Sequence, residues 1–380
     1  MRTIGIVTVS RSDYGIYRPL LQAIDLDDDL NMQLLVGGMH LSPDYGLTKN
    51  EIEEDGYPIT AYIDMLLASN SPEATSKSIG LGVLGFSQIF SRNPPDILVV
   101  LGDRFEMFAA PIAALPFRIP IAHIHGGELT LGAFDDAIRH SITKLSHLHF
   151  TSTQEYAERI VQLGEEPWRV HNVGALSVDN FHLVDTLSHD EFHKRFNLSE
   201  VFLLVTFHPV TLEIEHVYNQ ADNLMRALDT WGGDVLFTMP NADPGGKLIR
   251  DQINKNLNTH KNWVSVENLG TRGYFSAMRF ASAMVGNSSS GIIESGLFNL
   301  PVVNIGTRQN GRIRGANIID VGYDKIEVLL GIKNALSIKI DDQIDLPSPY
   351  GDGKAAEKIV GILRNIEIND QLIIKKFFDL

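Results

Sequence analysis

The chain contains no cysteine in 380 residues. That excludes disulfides, thiolate nucleophiles and cysteine-ligated metals. Positive charge is also scarce: 32 Lys and Arg stand against 47 Asp and Glu, a formal net charge of −15. Nucleic-acid binding needs a basic face, so no nucleic-acid partner is expected. An anionic small ligand remains possible, because a few local arginines and helix N-termini can hold one. No apolar run is long enough to span a bilayer, so no membrane partner is expected. The chain enters a strand pattern at 3–9 without the zones of a signal peptide, which gives a cytoplasmic location as the expectation.

At this length two domains are the natural reading. Residues 97–140 organise the first. Ile97–Leu101 is a continuous apolar run stopping at Gly102-Asp103-Arg104, and 119–124 repeats the pattern and stops at His125-Gly126-Gly127-Glu128. Apolar runs of this kind read as strands buried on both faces of a parallel sheet. The amphipathic stretch between them makes a strand–helix–strand unit. A further helix opens at Asp135-Asp136, with Ile138, Ile142 and Leu145 at packing spacing. In open α/β sheets ligands bind beyond the carboxyl ends of the strands. Asp103, Arg104, His125 and Glu128 fall there, and Asp135 shares the inward face of its helix. Either Asp135 or Asp136 could simply cap that helix. Four further ionisable groups converging on one sheet edge favour a site.

The pattern recurs after 169–173, where the chain is expected to cross into a second domain. Runs at 201–207, Asp234–Thr238, 281–285 and 301–305 end respectively at His208-Pro209, Pro240-Asn241-Ala242-Asp243, Asn287-Ser288-Ser289-Ser290-Gly291 and Gly306-Thr307-Arg308. The expected architecture is α/β, two doubly wound parallel-sheet domains facing each other across a central cleft. The expected boundaries are 1–170 and 171–353, with a helix in 354–380 returning to the first domain and residues 364–380 peripheral. The serine-rich strand end offers hydroxyls and free N–H groups to a phosphate or diphosphate. Glu294, one turn beyond Ser290, could accept from a ribose diol. Arg308 and Arg11, each just past a strand, are candidate phosphate clamps. His208 is a candidate acid beside a departing phosphate, or a plain core histidine.

Two motif matches are set aside. Gly80-Leu81-Gly82-Val83-Leu84-Gly85 fits G-x-G-x-x-G but lies inside a helical pattern, which is the wrong context for dinucleotide binding. His123-Ile124-His125 with Glu128 is too sparse a pattern for zinc, so no metal and no cofactor are expected.

The motif series Ser10-Arg11-Ser12-Asp13-Tyr14, Leu101-Gly102-Asp103-Arg104-Phe105, His123 to Glu128, Asp135 to His140, Thr206 to Thr211, Pro240 to Asp243, Gly286 to Gly291 and Gly306 to Gln309 occurs in one order. It resembles the hydrolysing branch of the UDP-N-acetylglucosamine 2-epimerases, which feeds sialic-acid-type synthesis, over roughly residues 1–365. The resemblance implies the GT-B fold, two Rossmann-like domains with the nucleotide sugar between them. It implies elimination of UDP with loss of the C2 proton, then water addition at C1 and reprotonation at C2 on the opposite face. The products would be N-acetylmannosamine and UDP. By the same resemblance Asp103, His125, Glu128, Asp135 and His208 are the catalytic candidates. Arg11, Ser12, Arg104, Ser288, Ser289 and Arg308 would hold UDP with Glu294 on the ribose, and Leu269 and Tyr274 would enclose uracil. Asp13, Arg139, Asn241 and Asp243 are further substrate-binding candidates. One departure stands out: His125 occupies a position where several members carry a catalytic Glu, leaving open whether His125 or Glu128 does that work. The alternative substrate is UDP-N,N′-diacetylbacillosamine, of legionaminic acid synthesis. A GT-B glycosyltransferase and a nucleotide-sugar-binding regulator are the other readings. A homo-oligomer, dimer or tetramer, is expected.

Overall fold

The computed structural model describes residues 1–69, 71–129, 134–240, 245–267, 269–338 and 348–380. The chain forms two compact units, Met1–Asn180 with Tyr350–Leu380, and Phe181–Pro349. The first unit holds seven parallel strands: β1 (Arg2–Thr8), β2 (Leu30–Gly37), β3 (Ile59–Ile63), β4 (Ile97–Leu101), β5 (Ile121–Ile124), β6 (Leu148–Thr151) and β7 (Val170–Asn172). Their order is β3-β2-β1-β4-β5-β6-β7. Chain direction across the sheet therefore reverses between β1 and β4, which pair through Ile4 with Ile97 and Ile6 with Val99.

The strands are apolar on both sides because helices cover both faces. On one face Ile4, Ile6, Ile97 and Val99 pack against Tyr17, Leu20 and Leu21 of helix α1 (Arg11–Asp25). On the other, Val7, Leu98 and Val100 meet Phe86 and Phe90 of α2 (Pro72–Arg92) and Met107 and Ala110 of α3 (Phe105–Ala114). Residues 80–85 lie within α2, so their glycines cradle no phosphate. Helix α4 (Asp135–Leu145) follows β5.

The segment 169–173, expected as the domain crossing, is the edge strand β7 of this sheet. The chain stays in the first unit to Asn180, with Leu176 and Val178 buried and the Asp179 carboxylate accepting from the N–H groups of Ala355 and Ala356 at 3.0 and 2.6 Å. Asp179 thereby caps the helix Ala355–Asn365, whose Ile359, Val360 and Leu363 join the first core. Residues 364–380 are more than the peripheral tail expected. Leu372 is buried, and the fully buried Arg169 guanidinium donates to the carbonyls of Gln371 and Leu372 at 2.7 and 2.8 Å.

The second unit carries β8 (Phe202–Thr206), β9 (Asp234–Thr238), β10 (Trp263–Val266), β11 (Ala283–Gly286), β12 (Val302–Ile305) and β13 (Ile318–Val321). They form a parallel sheet in the order β10-β9-β8-β11-β12-β13, reversing between β8 and β11. Leu203, Val205, Val235 and Val285 face one core, and Phe202, Leu204, Leu236 and Met284 the other. Both units are thus doubly wound, Rossmann-like sheets. Among the described residues no helix is long and apolar enough to cross a membrane.

Candidate active site

Open α/β sheets bind ligands where the strand order reverses, because the connections there diverge to opposite faces and leave a crevice. In the first unit that point lies at the ends of β1 and β4, which carry Ser10-Arg11 and Gly102-Asp103. Gly102 has φ of +72°, a backbone turn open to glycine, and it swings Asp103 out of the strand. Arg139 of α4 donates to the Asp103 carboxylate. The same guanidinium lies 3.5 Å from Glu128, and Arg139 is only 5 % exposed. Asp103, Arg139 and Glu128 therefore form one chain of charge between the ends of β4 and β5, half-buried at Asp103 and buried at the other two.

His125 continues that chain. Its Nδ1 lies 2.7 Å from Glu128 Oε1, which also accepts from Ser152 Oγ at 3.0 Å. With Nδ1–H donating to the carboxylate, Nε2 carries the lone pair, and this buried atom has no partner among the described residues. His125 also has φ of +64°, in the left-handed region that a non-glycine residue enters at a cost of about 1 kcal/mol or more. Strain of this kind collects at working sites. Glu128 is buried and bonded to both His125 and Ser152. His123 is a structural histidine: Nε2 meets Gly102 O at 2.8 Å, Nδ1 meets Thr143 Oγ1 at 3.2 Å, and burial pushes it down to about 3. Its neutral ring fixes the Gly102 turn that presents Asp103.

Asp135 opens α4, and burial together with the charge of Asp103 raises its pKa. Asp103 and Asp135 are thus electrostatic neighbours with different surroundings, the arrangement by which two carboxylates take acid and base roles. Arg104, expected on the nucleotide, is turned along this cluster. Its Nη2 donates to Met39 Sδ and Glu106 Oε1, each at 3.0 Å. Asp13, expected on the substrate, is committed to the turn after β1. It accepts from Thr8 Oγ1 at 2.5 Å, from Val9 N at 3.1 Å, and from Ser10 N at 3.1 Å in a capping box that starts α1. With that carboxylate saturated and 3 % exposed, it has no face for a ligand. Arg11 and Ser12 are exposed in the first turn of α1, Arg11 pairing with Glu51 at 3.3 Å.

In the second unit the strand order reverses between the ends of β8 and β11, and His208 and Asn287 lie there. Asn287 clamps the backbone of His208 in both directions, Oδ1 accepting from its N–H at 2.7 Å and Nδ2 donating to its carbonyl at 2.8 Å. The Asn287 carbonyl accepts in turn from Arg308 Nη1 at 3.0 Å and Gln309 Nε2 at 2.8 Å. Gly286 is required for this close approach, since a Cβ would come within 1.9 Å of the Thr206 carbonyl. Burial, with Arg308 beside it, pushes His208 down to about 4. Ser288 caps the following helix, but that helix is only the five residues Ser289–Ile293, so its dipole is small. Anion binding here would rest on hydroxyls, N–H groups and Arg308.

The Tyr274 hydroxyl lies near Thr206, Ser288, Ser290 and Glu294, and burial raises its pKa. Its polar end therefore faces the serine loop. Leu269 caps Gly270–Phe280 and packs on the second core. Asn241 and Asp243 lie outside the described residues. Among the described residues three ligand-type groups come together at His189, His193 and Glu200, on the surface of the second unit, where His189 Nε2 pairs with Glu200 at 2.9 Å.

Sequence reasoning missed Asn287 as the hinge pin of its loop, and it missed Glu106. The signal for Glu106 was an acid inside the apolar run Phe105-Glu106-Met107-Phe108-Ala109, fully buried once folded.

Two Rossmann-like parallel-sheet units, each with polar groups gathered where its strand order reverses, define a protein of the GT-B-like fold class. Among solved structures, the UDP-GlcNAc 2-epimerase of Neisseria meningitidis bound to UDP-GlcNAc superposes with a TM-score of 0.79 at 16% identity, covering 96% of this chain and 99% of that one. A Staphylococcus aureus MnaA–UDP structure gives 0.76 at 20% identity, covering 96% of each chain. A family model described as UDP-N-acetylglucosamine 2-epimerase matches residues 22–364. The GDP/UDP-N,N′-diacetylbacillosamine 2-epimerase (hydrolyzing) of Campylobacter jejuni is 40% identical, covering 100% of this chain and 99% of that protein. The UDP-N,N′-diacetylbacillosamine 2-epimerase (hydrolyzing) of Legionella pneumophila is 36% identical over 99% of both. A UDP-N-acetylglucosamine 2-epimerase of Neisseria meningitidis is 31% identical over 100% of both. The chain belongs to the UDP-N-acetylglucosamine 2-epimerase family and is an enzyme of its hydrolysing kind.

Proposed function

We propose that the enzyme takes a UDP-linked 2-acetamido sugar, eliminates UDP, and hydrates the resulting 2-acetamidoglycal to release the free C2 epimer. The observation that carries the reading is the paired carboxylates Asp103 and Asp135 beside a strained histidine whose Nε2 is unpartnered. Elimination breaks the C1–O bond to the diphosphate and removes the C2 proton. Hydration forms a new C1–O bond to water and returns a proton to C2 from the opposite face. That sequence needs proton-transfer groups on both faces of the ring. Asp103 and Asp135 serve one set of transfers, and His125 Nε2, aligned by Glu128, serves another. His208 and Arg308 face the diphosphate, where the arriving negative charge favours the protonated imidazole that can donate to the leaving oxygen. Ser288 and Ser289 hold phosphate oxygens, and Tyr274 and Glu294 hold the ribose.

The sugar favoured is UDP-N,N′-diacetylbacillosamine. The relatives at 40% and 36% identity are named for it, whereas the relative named for UDP-N-acetylglucosamine stands at 31%. The product would enter sialic-acid-type synthesis, in keeping with a 35% identical Escherichia coli relative named polysialic acid biosynthesis protein P7. Reaction in deuterated water should release UDP together with a sugar labelled at C2. Release of UDP with protium retained at C2 would rule out the elimination.

A further inference from the structure

Beside the site of the first unit lies a cavity of about 710 Å3 that no step above uses. It opens among the carboxyl ends of β2 and β3 and the start of α3, and Met39, Leu66, Leu67, Phe105, Glu106 and Phe134 are among its lining. The lining of the cavity adjoins the catalytic cluster along the chain. Phe105 and Glu106 follow Asp103-Arg104 directly, and Phe134 immediately precedes Asp135. Arg104 bridges two lining residues, Met39 and Glu106.

Glu106 gives this cavity a chemistry. It is fully buried, one oxygen is held by Arg104, and the other, Oε2, has no partner among the described residues. A buried carboxylate oxygen without a donor is costly, and a ligand N–H or O–H would relieve that cost. Asp44 and Asp64 also line the cavity, so its walls repel a diphosphate and suit the neutral end of the substrate. Phe134 is 62 % exposed and Leu67 is 40 % exposed, apolar surface that a bound methyl group would cover.

We propose that this cavity receives the C4–C6 edge of the sugar and selects a 4-acetamido-6-deoxy sugar over a 4,6-dihydroxy one. Glu106 Oε2 accepts the C4 amide N–H, while Phe134 and Leu67 cover the acetyl and C6 methyl groups. The inference rests on the proposed epimerase reading and deepens it by assigning the residues that choose the sugar. A 4,6-dihydroxy sugar can still donate to Glu106 but brings no methyl groups. One methyl in an apolar pocket changes kcat/KM by roughly 10- to 200-fold, which sets the scale of discrimination.

The test compares kcat/KM for UDP-N,N′-diacetylbacillosamine and UDP-N-acetylglucosamine in wild-type enzyme and in Leu67→Ser, Phe134→Ser and Glu106→Gln, with UDP affinity measured alongside. Wild type should favour the diacetylated sugar at least about tenfold. Each serine variant, whose change lies at exposed surface away from the core, should cut that ratio by roughly tenfold with UDP affinity unaltered. Glu106→Gln should lower kcat/KM for the amide-bearing sugar more than for the hydroxyl-bearing one. If wild type turns over neither sugar, the epimerase reading fails and the cavity assignment falls with it. If wild type prefers UDP-N-acetylglucosamine, the selectivity assigned to the cavity is overturned while the epimerase reading stands. If wild type prefers the diacetylated sugar but the serine variants leave the ratio unmoved, the cavity assignment alone is wrong.

Discussion

Asp103 and Asp135 differ in what holds them, and that difference should separate chemistry from binding. Asp103 accepts from a buried arginine, whereas burial and the neighbouring carboxylate raise Asp135. Asp103→Asn and Asp135→Asn preserve size and remove proton transfer. Each should lower kcat by roughly 10²- to 10⁴-fold with UDP affinity nearly intact. Glu294→Gln and Ser288→Ala, in the other unit, should instead weaken UDP by about 1–3 kcal/mol. Calorimetric titration of UDP against the four variants checks the division. Asp variants that lose UDP as badly as the Glu294 variant would overturn it. His125 belongs to the same scale: its backbone has a positive φ and its ring is fixed by Glu128, so this strand end presents an imidazole backed by a carboxylate.

At the scale of elements, the C-terminal segment shows how a stretch with little local character becomes integral. Arg169 follows the short turn after helix Gln154–Gln162 and is fully buried. It spends its donors on backbone carbonyls of residues 371, 372 and 374 and on His147 O. Arg169→Met would strip four carbonyls of their partner at once, two of them in buried hydrogen bonds. The expected cost is at least about 3 kcal/mol, since each charged hydrogen bond contributes about 1.5–3 kcal/mol. For a unit of this size that lowers the thermal midpoint by roughly 6–12 °C. Thermal unfolding with limited proteolysis of the tail reads it, and a midpoint within a degree or two of wild type would show that the segment is held otherwise.

For the whole molecule, buried histidines set the acid limit of the fold. In the first unit burial pushes His123 down to about 3, and His147 and His149 each to about 4. Unfolded, these side chains titrate near 6.5. Below that pH the unfolded chain takes up protons that the folded unit refuses, so protonation favours unfolding. Stability is therefore full above about 6.5 and falls as pH drops toward 4, by up to about 1.4 kcal/mol per pH unit for each histidine. Urea midpoints measured from pH 7.5 to 4.5 should decline through this window, and a flat profile would contradict the buried neutral assignment.

The strand-and-loop alternation was legible in the sequence because parallel strands covered on both faces must be apolar throughout. The loaded strand ends were legible because polar groups at such ends interrupt the apolar runs abruptly. That determined two α/β units, the family, and Asp103, His125, Glu128, Asp135 and His208 as the groups to examine. Strand order was not legible, since pairing across a sheet depends on long-range packing that no local pattern encodes. Only the folded structure put β1 beside β4 and β8 beside β11. Tertiary contacts also turned Asp13 into a turn anchor, made β7 of a segment expected to link domains, and drew the C-terminal residues onto Arg169. They also left His125 Nε2 buried without a partner among the described residues, because which atom is left so depends on neighbours brought from distant parts of the chain.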